Sequence, residues 1–222
     1  HVLPYAPLYL PYSMIVEETQ SYFLLVNLFA TTFIGTILVV LFNSFLDRWM
    51  DRERKQRHLM TIDPLTQILN RRGIATQLER IYTTNSNLDQ PLSISLIDID
   101  FFKKINDQYG HDCGDQVLVH IAKLLRLNIR ENDHLGRYGG EEFIVVFENT
   151  NLTTAQSILE RCRKAIEQHE LAYDGQIIRF TASFGLAHAT LENSDQQRLI
   201  LATDQALYRA KETGRNKICI SD

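Results

Sequence analysis

Two short segments carry residue types suited to holding a cation against an anionic ligand. The run Leu92-Ser93-Ile94-Ser95-Leu96-Ile97-Asp98-Ile99-Asp100 is strand-like and ends in two carboxylates two positions apart. In extended chain that spacing projects both to one face, where hard oxygen donors can hold a divalent ion. The second segment is Arg137-Tyr138-Gly139-Gly140-Glu141-Glu142-Phe143. Its paired glycines predict a hairpin tip, where positive φ and close approach of backbone to a ligand cost little. Alone, the acids are an ordinary strand end and Gly-Gly an ordinary turn with a solvated edge. Together they point to a cation site.

Those segments need a domain to bring them together. With 222 residues, 45% of them apolar, the chain can bury one full core with a modest remainder. Its 23 basic and 27 acidic side chains leave a formal charge of -4, which speaks against a nucleic-acid polymer as partner. Cys113, Cys162 and Cys219 are odd in number and far apart, and read as reduced thiols rather than a disulfide framework or zinc cluster.

A helix is expected from Asp63-Pro64 toward Tyr82, Asp63 capping it and Pro64 at its first position. A strand follows over Leu92–Ile99, a helix over Gly114–Ile129, and two strands over Asp133–Phe147 around the glycines. Then come a helix over Leu152–His169, a strand over Ile177–Ala187, a helix over Asp195–Thr213 closed by Gly214, and a last strand over Lys217–Ile220. This order predicts an α+β fold with a mainly antiparallel sheet.

Upstream, the stretch from Ser21 to Phe42 carries no charge and is long enough to cross an apolar layer about 30 Å thick. Residues 21–43 are therefore expected to be a transmembrane helix. Arg48, Arg52, Arg54, Lys55 and Arg57 follow it while Glu17 and Glu18 precede it, so the positive-inside bias puts residues 44–222 in the cytoplasm. The apolar run is too long, and its basic flank on the wrong side, for a signal peptide. Residues 1–20, with Pro4, Pro7 and Pro11 among tyrosines, are expected to be irregular extracytoplasmic chain, and the start at His1 suggests a truncated upstream region. Residues 44–62 read as a linker helix whose heptad row Phe45, Trp49, Arg52, Gln56, Leu59 is only partly apolar.

The motifs of residues 63–222 resemble the GGDEF diguanylate cyclases. Gly139–Phe143 reads GGEEF, a variant of the family signature. The likeness extends to Asp63-Pro64-Leu65-Thr66, Asn70-Arg71-Arg72, Asp98 to Lys103, Asn106-Asp107, Gly110-His111-Asp112 and Gly114-Asp115. It continues at Asp204 to Tyr208, Ala210-Lys211 and Gly214-Arg215-Asn216. The resemblance implies a ferredoxin-like, palm-type antiparallel sheet with flanking helices. It also implies a homodimer in which each domain binds one GTP and the pair makes cyclic di-GMP with magnesium, or manganese in its place, at a bacterial inner membrane.

By motif position, the resemblance assigns metal binding to Asp98, the Ile99 carbonyl and Glu141, and catalysis to Glu141 and Lys103. It assigns GTP binding to Phe101, Phe102, Gly139, Asn106, Asp115, Lys211 and Arg215, with Asn106 and Asp115 reading guanine. The side chains of Phe101 and Phe102 are expected to pack in the core. Arg130 and Asp133, in RxxD spacing, match the family's product-inhibition site, with Arg161 as a second arginine. Gln67 stands where the family often has glycine. A domain that only binds GTP or cyclic di-GMP is the rival reading, and a complete metal and phosphate set argues against it.

Overall fold

The computed structural model describes residues 12–59, 61–84, 90–190 and 195–221. The chain divides into two compact units, residues 1–59 and 60–222, each described by itself.

The first unit is one helix, α1 (Tyr12–Leu59), 48 residues long. The expected irregular tail lies partly outside the described residues, and where it is described, from Tyr12, it is helical. Pro11 immediately precedes the first turn, and no proline and only Gly35 interrupt the next 48 residues. Within it, Tyr22–Met50 is long and apolar enough to span a membrane. Its large side chains face outward, Phe23 at 74% and Phe29 at 73% exposure. The hydroxyls of Thr31, Thr32 and Thr36 donate to carbonyls one turn back, at 2.9, 2.9 and 2.8 Å, so these polar groups are satisfied within the helix.

The second unit is a six-stranded sheet with helices on both faces. Its elements are β1 (Leu69–Asn70), α2 (Arg71–Thr84), β2 (Ser93–Ile99), α3 (Phe102–Tyr109), α4 (His111–Asn128), β3 (His134–Arg137), β4 (Glu142–Phe147), α5 (Leu152–Glu167), β5 (Leu171–Tyr173), β6 (Gln176–Ile178), β7 (Ala182–His188), α6 (Gln196–Glu212) and β8 (Ile218–Ile220). The strand order is β1-β3-β4-β2-β7-β8, while β5 and β6 form a separate hairpin. The three inner pairings are antiparallel and the two outer ones parallel, as the expected mainly antiparallel sheet requires.

β2 lies at the centre and every residue of it is buried. Its odd positions Ile97 and Ile99 join a core with Phe102, Ile105, Val117, Leu125 and Leu159, on the side of α3, α4 and α5. Its even positions Ile94 and Leu96 join a second core with Ile74, Leu78, Leu199 and Leu207, on the side of α2 and α6. Both faces of β2 are buried, its polar residues Ser93, Ser95 and Asp98 included, so the strand has no solvent face. The parity puts Asp98 on the α6 side.

Two expectations are corrected, and one element was not expected. Asp63-Pro64 starts a turn, not a helix: Asp63 Oδ1 accepts from the Thr66 amide at 2.9 Å and hydroxyl at 2.7 Å, and α2 begins only at Arg71. Its cap is Asn70, whose Oδ1 accepts from Gly73 N at 3.0 Å. The single strand expected over Ile177–Ala187 is two, β6 and β7, and β6 turns back on β5 through Asp174 and Gly175, both at positive φ (45° and 74°). That Asp-Gly pair is the sequence signal for the hairpin. α3 had no counterpart in the expected elements. The three cysteines are free thiols, with Cys113 and Cys162 buried.

Candidate active site

The sheet's register brings the two acidic segments together. Asp98 on β2 pairs across the ladder with Glu142 on β4, so the hairpin tip that follows β3 stands beside the end of β2. Asp98 is 5% exposed, and Lys211 from α6 places Nζ 2.8 Å from its Oδ2. Burial pushes the Asp98 carboxyl above its ordinary range against the pull of Lys211 and Arg215. Glu141 is likewise raised, first by burial and then by the negative charge of Asp98. Ile99 is 1% exposed, and its side chain has no ligating atom, so its backbone carbonyl is the one group it could offer a cation.

The expectation that Asp98 and Asp100 act as a pair is corrected. Asp100 accepts from Thr181 Oγ1 and Ser183 Oγ, both at 2.6 Å, and from the Asn216 amide at 3.1 Å, which fixes both its oxygens. Among the described residues no three His, Cys, Asp or Glu side chains gather into one metal cluster. Two carboxylates and a carbonyl nonetheless form an all-oxygen set that fits a hard divalent cation completed by ligand oxygens and water.

The hairpin tip is built differently from expectation. Neither Gly139 nor Gly140 adopts positive φ. The amides of Tyr138 and Gly139 both donate to the Glu142 carbonyl, at 2.7 and 3.2 Å. A Cβ on Gly139 would meet Glu142 Oε2 at 2.4 Å, whereas Gly140 faces open space. Arg137 ties the tip down, donating through Nη2 to Gly140 O at 2.7 Å and through Nη1 to Asp63 Oδ1 at 3.3 Å. Burial alone would raise the Asp63 carboxyl, but Thr66 and Arg137 bring it below its ordinary range.

Phe101 corrects another expectation. Phe102 is a core residue, but Phe101 is 52% exposed at φ 57°. Its ring lies under two cations, Lys104 Nζ at 4.4 Å and the Arg215 guanidinium at 4.6 Å from the centroid. Arg215 itself belongs to a run of three positive-φ residues, Gly214 (116°), Arg215 (62°) and Asn216 (46°). For the two non-glycine residues that conformation costs roughly 1 kcal/mol each. Lys103 is exposed in the first turn of α3. Lys104, Phe101 as a ring, Arg137 and Asn216 were not read from the sequence as contributors in these roles.

Asn106 on α3 and Asp115 on α4 sit on adjoining helices. Gly114 lets them meet closely: a Cβ there would lie 1.9 Å from Asn106 Oδ1. That amide oxygen is buried and has no hydrogen-bond partner, which leaves an acceptor to be satisfied. Asp115 is exposed, as is His111 at the start of α4.

The RxxD pair lies away from these residues, in the turn between α4 and β3. Arg130 is exposed, while Asp133 is 3% exposed and its Oδ2 accepts from the Arg130 amide at 2.8 Å. Burial raises the Asp133 carboxyl. Arg161 on α5 reaches the same region through a hydrogen bond to the Asn128 carbonyl.

Comparison with known proteins agrees with this arrangement. The family described as Diguanylate cyclase, GGDEF domain, matches residues 60–217. Diguanylate cyclase A of Treponema denticola is 40% identical over 166 residues, covering 73% of this chain and 45% of that protein. The chain spans about half the length, or less, of the curated relatives it matches. The active GGEEF domain of a diguanylate cyclase from Vibrio cholerae has a TM-score of 0.66 at 39% identity, covering 70% of this chain and 99% of that one. The GGDEF domain of DgcB from Caulobacter crescentus, solved with c-di-GMP, has a TM-score of 0.69 at 28% identity, covering 72% and 92%. The chain therefore belongs to the GGDEF family of diguanylate cyclases, with the signature standing as Gly139-Gly140-Glu141-Glu142-Phe143.

Proposed function

We propose that this chain condenses two molecules of GTP into cyclic di-GMP and two of pyrophosphate, as a homodimer of GGDEF domains. One observation carries the reading: Asp98, Glu141, Lys211 and Arg215, drawn from three parts of the chain, interact at one end of the sheet. Two acids and two cations in that relation suit a polyphosphate and its counter-ion better than a solvated surface.

GGDEF diguanylate cyclases generally use a divalent metal. Magnesium, or manganese in its place, held by Asp98, Glu141 and the Ile99 carbonyl, would neutralise charge on the phosphates. Lys211 and Arg215 orient the terminal phosphates and offset charge on the departing pyrophosphate. Lys103 and the backbone at Phe101, Phe102 and Gly139 approach the triphosphate. Asn106 and Asp115 read guanine, an amide and a carboxylate together addressing the base's acceptors and its N1–H and amino donors. In each half-reaction a 3′-hydroxyl oxygen bonds to the α-phosphorus of the GTP on the facing domain, and the bond to pyrophosphate breaks. Glu141, whose proton affinity is raised, takes the hydroxyl proton.

Residues 21–43 anchor the chain in a bacterial inner membrane, with Arg48, Arg52, Arg54, Lys55, Arg57 and the GGDEF domain on the cytoplasmic side. Arg130, Asp133 and Arg161 bind the product and restrain synthesis, the arginines addressing guanine acceptors. The test is incubation of the full chain, in detergent or nanodiscs, with GTP and magnesium. Cyclic di-GMP should form, and Glu141→Ala should abolish it while the melting curve persists; undiminished turnover in that variant refutes the assignment.

A further inference from the structure

We propose that Arg163, on α5, is a positioning residue for Arg215, acting through the side chain of Asn216. The inference rests on the reading of Arg215 as a ligand of the GTP phosphates.

The loop after α6 is an unusual place to hold a phosphate ligand. Gly214, Arg215 and Asn216 all have positive φ, and such a run persists only where its surroundings determine it. One determinant is local: the Arg215 amide donates to the Ala210 carbonyl at 2.9 Å and closes the helix. The rest come from Asn216. Its amide N–H donates to Asp100 Oδ2 at 3.1 Å, its Oδ1 accepts from Arg163 Nη1 at 3.0 Å, and its Nδ2 donates to Glu167 Oε1 at 2.6 Å.

Arg163 is held rigidly enough to act as a socket. Its side chain is 14% exposed, Glu160 grips Nε and Nη2 at 2.9 and 2.8 Å, and Glu167 Oε2 takes Nη1 at 3.0 Å. Glu160, Arg163 and Glu167 share one face of α5, at spacings of three and four. A planar guanidinium can serve all these acceptors at fixed angles, which an ammonium cannot. The Arg215 guanidinium itself rests on the Phe101 ring. Arg215 is thus held by a ring against its own side chain and by a socket that grips the next residue.

The test compares binding of 3′-deoxy-GTP, which lacks the attacking hydroxyl, with binding of GMP, which lacks the phosphates assigned to Arg215. Titrations use the full chain in nanodiscs with magnesium. Asn216→Gly keeps the backbone conformation and the amide donor to Asp100 while removing the side-chain ties. It should weaken 3′-deoxy-GTP about tenfold and GMP less than about twofold. Arg163→Gln should do the same, Arg163→Lys should recover only part of the loss, and Arg163→Gln should add nothing in an Arg215→Ala background. Equal weakening of both nucleotides, or an additive loss on Arg215→Ala, overturns the proposal. If Arg163→Gln does not fold, Asn216→Gly decides the matter, because Arg163 retains its pairs with Glu160 and Glu167; wild-type affinity in that variant overturns the proposal alone. A wild-type chain with no preference for the triphosphate overturns the phosphate reading as well.

Discussion

Asp98 at the end of β2 and Asp133 in the turn before β3 are both nearly enclosed, 5% and 3% exposed, and burial raises the proton affinity of each. Their partners differ in kind. Asp133 is answered by the amide of Arg130, three residues away in its own turn, so its carboxylate is part of the backbone's local geometry. Asp98 is answered by the ammonium of Lys211, on another element and 32% exposed. A lysine can swing away and be replaced by another cation, whereas a turn amide cannot. Asp100 sharpens the contrast, because two positions from Asp98 it is fixed by two hydroxyls and an amide. A buried acid compensated by a removable side chain is available for cation exchange; one compensated by backbone also holds its own turn together.

The comparison can be broken in several places. The largest expected effect is Asp98→Asn, which should lower cyclic di-GMP synthesis at least about 100-fold, near 3 kcal/mol of transition-state stabilisation, with the fold retained by circular dichroism. Substantial synthesis by that variant would end the distinction. Lys211→Met should reduce turnover roughly tenfold and lower metal-free stability by about 1–2 kcal/mol, because Asp98 then lacks its cation. Magnesium should restore part of the lost melting temperature; an unchanged melt would make the ion pair incidental.

Asp133→Ala should cost about 1–2 kcal/mol in denaturant titration through the lost turn bond. Asp133→Asn keeps an acceptor and removes a buried charge. Because the folded-state pKa is raised, the charged form costs stability, and that cost grows as pH rises through the folded pKa. The Asn variant should therefore gain on wild type near neutral pH and lose that gain below the ordinary carboxylate range. Arg130→Ala should leave stability unchanged and raise the product level at which synthesis stalls. The smallest effect concerns Gln67, held at φ 57° with its Nε2 donating to Pro64 O at 2.7 Å. Gln67→Gly relieves the backbone but loses that bond and adds unfolded-state freedom, so stability should rise by less than about 1 kcal/mol.

The sheet and the acidic residues at its end were legible because both depend on patterns within a dozen residues: a β-rich run ending in acids, and glycines between two strands. The failures are equally local in origin. An Asp accepting from an amide three residues on is the chemistry of a helix start and of a tight turn alike, so Asp63 could not distinguish them. α3, with 8 residues, is too short to show a helical period. Asp100 resembled Asp98 by spacing, and only the approach of Thr181, Ser183 and Asn216 separates their roles. Arg163 was invisible because its contact with Asn216 spans 53 positions.

β2 is bonded on both edges along its length and covered on both sides by helices. Its amide protons should therefore be among the last to exchange with deuterium, leaving only when the whole domain opens. Protons at the Gly139-Gly140 tip, outside that ladder, should go before those of β2. The site thus joins a floor protected by the whole domain to a rim held by a few local bonds.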